Sequence, residues 1–92
     1  MIKSFKSKAL ATLFQTGKSS KVQPKHLKRL KLILTMLNIA THAGQMSAPG
    51  LRLHPLEPKK AGRYAVWVDE NYRVTFAFEG TDVVGVDYED YH

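Results

Sequence analysis

Five residues of this chain have side chains suited to moving protons and holding a phosphate: His54, Arg73 and the final three, Asp90, Tyr91 and His92. Histidine titrates near neutral pH and serves as general acid or base. Arginine grips a phosphate with a forked pair of donors, and tyrosine can stack on a base or donate its hydroxyl. The sequence contains no cysteine, no metal-ligand spacing and no activated-serine motif. The nucleic acid such a set can cleave is RNA, whose own 2′-hydroxyl is the nucleophile, so the protein need only transfer protons and stabilise charge at phosphorus. A plainer reading stands beside this one. A terminal Tyr-His is often a tail, a His before Pro is often a turn residue, and Arg73 can simply pair with Asp87 or Glu89 across a sheet. Spacing leaves both open.

Other candidate motifs fall away. Gly17-Lys18-Ser19 looks like the end of a phosphate loop, but the position five before Gly17 is Thr12 and a helix precedes it where a strand is required. His26 and His42 lie on and at the end of a helix, apart from any carboxylate cluster, and read as surface histidines. The acids Asp82, Asp87, Glu89 and Asp90 have neither calcium-loop spacing nor histidine partners. No metal site is expected.

The elements that must position the five residues are legible in outline. Ninety-two residues make one domain, 1–92. Ile2 to Phe5 alternates as a short strand. Ser7 can cap a helix through Thr16, with Leu10, Leu13 and Phe14 on one side and Gly17 as its stop. Pro24 suits the first turn of a second helix running to about Thr41. Its stripe is Leu27, Leu30, Leu34 and Leu37, widened by Ile33 and Ala40, while Lys25, Lys28, Arg29 and Lys31 fall mainly outside it. His42 to Gly50 reads as a loop, Leu51 to Leu53 as a short strand ended by His54-Pro55, and Pro58 to Gly62 as a second loop carrying Lys59 and Lys60. Strands are expected at Arg63 to Val68, Tyr72 to Phe78 and Val83 to Tyr88, joined by Asp69-Glu70-Asn71 and Glu79-Gly80. The expected fold is α+β, two helices followed by an antiparallel meander of about four strands. On such a sheet His54, Arg73 and the C-terminus can converge on one face or edge.

Charge separates the chain. Residues 1–63 hold 13 of the 14 Lys and Arg against one acid, Glu57, for +12, whereas residues 64–92 hold Arg73 and seven acids, for −6. The first part therefore suits a polyanion partner, since Lys and Arg contacts to phosphate supply most non-specific nucleic-acid affinity. The longest unbroken apolar run, Tyr64 to Val68, is far too short for a membrane span. The lysines scattered through the N-terminus do not resemble a signal peptide. A soluble, cytoplasmic protein without membrane contact is expected.

The chain also resembles a known family, the HigB branch of the RelE toxin superfamily, the plasmid-maintenance killer proteins of type II toxin–antitoxin systems. The resemblance is carried by Met1-Ile2-Lys3-Ser4-Phe5-Lys6, Phe14-Gln15-Thr16-Gly17, the Lys/Leu-rich second helix, and Pro49-Gly50-Leu51-Arg52-Leu53-His54-Pro55-Leu56. It closes with Asn71-Tyr72-Arg73-Val74-Thr75-Phe76 and Tyr88-Glu89-Asp90-Tyr91-His92. It implies a RelE-like fold, two N-terminal helices on a twisted antiparallel sheet. It also implies an mRNA-cleaving toxin working in the ribosomal A site, against 16S rRNA, without metal or other cofactor. The implied partner is a HigA-like helix-turn-helix antitoxin that represses the shared operon, so operator DNA is met only through the antitoxin.

By the same resemblance His54 and His92 transfer protons, Arg73 binds the scissile phosphate, Tyr91 positions a nucleotide, and Asp90 orients a histidine or contacts the base. The expected products are a 2′,3′-cyclic phosphate and a 5′-hydroxyl. Lys25, Lys28, Arg29, Lys59, Lys60 and Arg63 are the candidate RNA and ribosome contacts. One departure is Glu57, where family members often carry a base; Lys59, Lys60 or Arg63 can take over that contact. Two rivals remain: a ParE-like toxin that binds DNA gyrase without cleaving nucleic acid, and a non-catalytic RNA- or ribosome-binding protein.

Overall fold

Ser7 opens the first helix as its sequence position suggests. Its hydroxyl accepts the Leu10 amide at 3.1 Å, filling one of the donors a helix start leaves unpaired. In the computed structural model, which describes residues 1–56 and 62–90, helix α1 spans Lys8–Thr16 and ends on Gly17, whose φ of 77° and N–H bond to the Leu13 carbonyl make a left-handed cap. Leu10 and Leu13 are buried, while Phe14 stays near the surface and packs its ring at 5.7 Å from that of Phe5.

Pro24 starts a short 3₁₀ turn, Pro24–His26, that runs directly into helix α2, Leu27–Ile39. Leu30, Ile33, Leu34 and Leu37 are buried as their spacing requires. The helix stops two residues before Thr41 because Ala40 turns to extended backbone, at φ −70° and ψ 140°. The following segment is not plain loop: Ala43–Met46 forms another 3₁₀ turn and buries Met46 completely.

Four strands form an antiparallel sheet in chain order: β1 His54–Pro55, β2 Arg63–Trp67, β3 Tyr72–Glu79 and β4 Asp82–Asp90. The strand expected at Leu51 to Leu53 falls instead on His54–Pro55. Leu51 is drawn into the core and accepts the Trp67 amide at 2.6 Å, but Arg52, at φ 50°, turns the chain so that regular pairing starts only at His54. Pro55, lacking an N–H, is tolerated there because β1 is an edge strand. The N-terminal alternation yields two isolated parallel bridges, Ile2 to Val83 and Phe5 to Val86, rather than a strand.

A bulge explains that interruption. β3 and β4 pair Thr75 with Asp87 but Ala77 with Val84, so β4 carries one extra residue at Gly85, whose φ is 62°. The extra residue lets Val83 and Val86, three apart, both face the core. It also turns the Gly85 amide outward to the Ser4 hydroxyl at 2.9 Å. Val66, Val74, Phe76, Val83 and Val86 join the buried leucines of α1 and α2 in one core. Among the described residues no helix is long and apolar enough to cross a membrane.

Candidate functional site

The sheet face turned away from the helices is polar, and its register aligns the residues of interest. Ala65 pairs with both His54 and Thr75, Thr75 pairs with Asp87, and Arg73 pairs with both Trp67 and Glu89. Cross-strand partners share a face, so His54, Arg63, Trp67, Arg73, Thr75 and Glu89 all lie on this side. His54 and Thr75 are two strand spacings apart, about 10 Å, with Arg73 in the next row along.

A hydrogen-bonded chain runs through the middle of this face. Arg63 Nη2 donates to the Gly85 carbonyl at 2.9 Å and to Thr75 Oγ1 at 3.0 Å. Thr75, fully buried beneath, donates in turn to Glu89 Oε2 at 2.7 Å. Glu89 Oε1 accepts from Arg73 Nη2 at 3.2 Å and Nε at 3.4 Å. Two guanidiniums are thus held side by side with one carboxylate between them. The Gly85 bulge is part of this device, since a Cβ there would meet Arg63 Nη1 at 2.9 Å.

His54 is exposed on β1, with Nδ1 2.9 Å from the Arg52 carbonyl. A carbonyl only accepts, so Nδ1 carries the proton and Nε2 is left as the basic nitrogen. Asp90 ends the described part of β4 opposite Tyr72, on the other pleat from Arg73, and is exposed. Tyr91, His92, Glu57, Lys59 and Lys60 lie outside the described residues.

The remaining cations divide by use. Lys25 and Lys28 are exposed, Lys25 Nζ standing 3.8 Å from Asp69. Arg29 is bound into the fold: its Nε donates to the Trp67 carbonyl at 3.1 Å and its Nη2 to the Gly50 carbonyl. The Arg29 and Arg52 guanidiniums lie 5.3 and 4.4 Å from the Trp67 ring centre. Beside them Lys25, Arg52, Trp67, Asp69, Glu70 and Asn71 line an open depression of about 710 Å³.

A second polar cluster, which the sequence did not suggest, lies on the helix side at the same end of the sheet. His26 is not at the surface but 3% exposed. Its Nδ1 is 2.6 Å from Tyr88 Oη and its Nε2 is 2.6 Å from Asp69 Oδ2. Asp69 Oδ1 accepts the amides of Asn71 and Tyr72, both at 2.9 Å. The His26 hydrogen bond, aided by those two amides, lowers the Asp69 pKa to about 2. Burial, reinforced by the nearby Tyr72, Asp69 and Asp90, pushes Tyr88 up despite the Gln23 amide hydrogen bond that opposes it. One signal was available: His26 precedes Leu30 by four and Ile33 by seven, and so continues the buried stripe of α2.

Two helices on an antiparallel sheet whose far face carries paired arginines and a histidine make an architecture of the RelE-like toxin kind. Residues 3–92 match the family described as RelE-like toxin of type II toxin-antitoxin system HigB, and the chain belongs to that family. It is also 38% identical to Endoribonuclease HigB of Proteus vulgaris, over 92 residues covering the whole of both chains. A type II toxin has an antitoxin as its partner.

Proposed function

We propose that this toxin is an endoribonuclease that cleaves mRNA in the ribosomal A site, and that the chemistry takes place on the outer face of the sheet. The observation that carries this reading is the alignment of His54, with Nε2 as its basic nitrogen, on the same face as the coupled guanidiniums of Arg63 and Arg73. RNA laid across this face meets a proton acceptor and two phosphate donors without rearrangement of the strands.

The reaction follows from those groups. One histidine of the pair His54 and His92 takes the proton of the 2′-hydroxyl, whose oxygen attacks the adjacent phosphorus. Arg73 balances the charge that develops on the phosphoryl oxygens. The other histidine returns a proton to the departing 5′-oxygen. The products are a 2′,3′-cyclic phosphate and a 5′-hydroxyl. Glu89 aims Arg73 through its two donors, and in sequence Asp90, Tyr91 and His92 directly follow it. In this reading Tyr91 positions a nucleotide and Asp90 orients a histidine or contacts the base.

Exposed Lys25 and Lys28 supply a ribosomal-RNA footprint, joined by Lys59, Lys60, Arg29 and Arg63. The antitoxin is a HigA-like helix-turn-helix protein, through which alone the pair meets operator DNA. The test is induced expression of wild type and His92→Ala, with primer-extension mapping of cellular mRNA 5′ ends. Codon-phased cuts with wild type, reduced on the order of 10²–10⁴-fold in the variant, are expected. Growth arrest by wild type without such cuts would leave a toxin that binds its target without cleaving RNA.

A further inference from the structure

We propose that His26 is a positioning residue for RNA cleavage: without touching RNA, it holds through Asp69 and Tyr88 the ends of the two strands that carry Arg73 and the C-terminal residues. The proposal rests on the reading of Arg73 given above.

One arrangement of protons links every member of the cluster. The Gln23 amide donates to Tyr88 Oη at 3.4 Å. Tyr88 O–H then donates to His26 Nδ1, and His26 Nε2–H donates to the Asp69 carboxylate. No buried side-chain donor or acceptor among the described residues is left unmatched. A fully satisfied polar network around a buried ring fixes geometry more sharply than apolar packing does.

What this network fixes is the reaction strands. Asp69 holds the amides of Asn71 and Tyr72, the two residues before Arg73. Tyr88 immediately precedes Glu89, the carboxylate that aims Arg73. The three register pairs Val74–Tyr88, Arg73–Glu89 and Tyr72–Asp90 are consecutive. Tyr72 and Tyr88 also stack on each other at 4.9 Å, with the His26 ring edge-on to both. His26, rooted in the 3₁₀ turn before α2, therefore clamps the rows on either side of Arg73 from beneath. Loss of the clamp displaces a phosphate donor whose partner Glu89 lies on the opposite face. Misplacement of about 1 Å at a reacting group can slow a reaction on the order of 10²-fold.

The test is the rate of mRNA cleavage by the purified full-length toxin, on programmed ribosomes and on free RNA, as RNA concentration is varied. For His26→Ala, kcat should fall about 10- to 10²-fold with KM within about twofold of wild type. His26→Gln should recover most of the loss, because its amide offers one acceptor and one donor at nearly the spacing of the two ring nitrogens. Tyr88→Phe, which keeps the ring and removes only the hydroxyl, should fall between them. A downfield imidazole N–H proton resonance should be present in wild type and absent in Asp69→Asn. Wild-type kcat in folded His26→Ala or Tyr88→Phe overturns the proposal, as does a loss that follows melting temperature alone with no recovery in His26→Gln. Arg73→Ala separates the two readings. If Arg73→Ala is inactive while the His26 series keeps full kcat, positioning by His26 fails alone; if Arg73→Ala keeps full kcat, the assignment of the site fails with it.

Discussion

Two polar clusters grip β3 and β4 from opposite faces, built from the same kinds of residue and left in different states. On the helix side, both ring nitrogens of His26 are taken up by Asp69 and Tyr88, and the histidine is sealed from water. On the outer face, Arg63, Thr75, Glu89 and Arg73 form a chain whose ends are cationic and half-buried, beside an exposed histidine held by the Arg52 carbonyl. Closure makes the first a brace. Its cationic ends make the second the place where we propose that a phosphate binds.

The largest way to sharpen that contrast is Arg73→Ala. Cleavage should drop on the order of 10²–10³-fold, as for removal of a principal charge-stabilising donor, while the melting temperature stays near that of wild type. An equal loss of stability would make Arg73 part of the brace class instead. Thr75→Val comes next. It keeps the shape of a fully buried residue but strips the hydroxyl that links Arg63 to Glu89. Urea unfolding should show a loss of about 1–3 kcal/mol, with activity reduced less than in Arg73→Ala.

The smallest effect is expected from Asp69→Asn and should depend on pH. The folded pKa of about 2 lies below the ordinary 3.8, so the carboxylate stabilises the fold fully above about pH 4 and loses that contribution as pH falls through about 2. The gap between wild type and variant in urea melts should stay constant near neutrality and narrow across that acid window. A gap independent of pH would show that the charge of Asp69 plays no part in the brace.

Elements governed by local signals were legible from the chain alone. Ser7 and Gly17 bound α1 through interactions within three or four residues, and the two hairpins follow turn residues flanked by alternating apolar ones. What sequence order hid were features settled by partners far along the chain. His26 finds Asp69 and Tyr88, 43 and 62 residues away. Neither partner marks it as buried, although its place in the α2 stripe does. Leu51 is claimed by the core and Arg52 by a left-handed turn, which moved the start of β1 from Leu51 to His54. At the outer face the residue types suggested the chemistry, and Glu89 was already a possible partner for Arg73. That Thr75 and Arg63 complete the chain depends on a bulge at Gly85, and only the folded register shows it.

The segment laid along β4 has a consequence for folding. Lys3 and Lys6 donate their amides to the Val83 and Val86 carbonyls, and Val83 donates back to Met1. These contacts span some 80 residues, so their loop-closure entropy is met late, after the local hairpins have formed. Peeling β4 away therefore releases the N-terminal segment and withdraws Glu89 from Arg73 in one step.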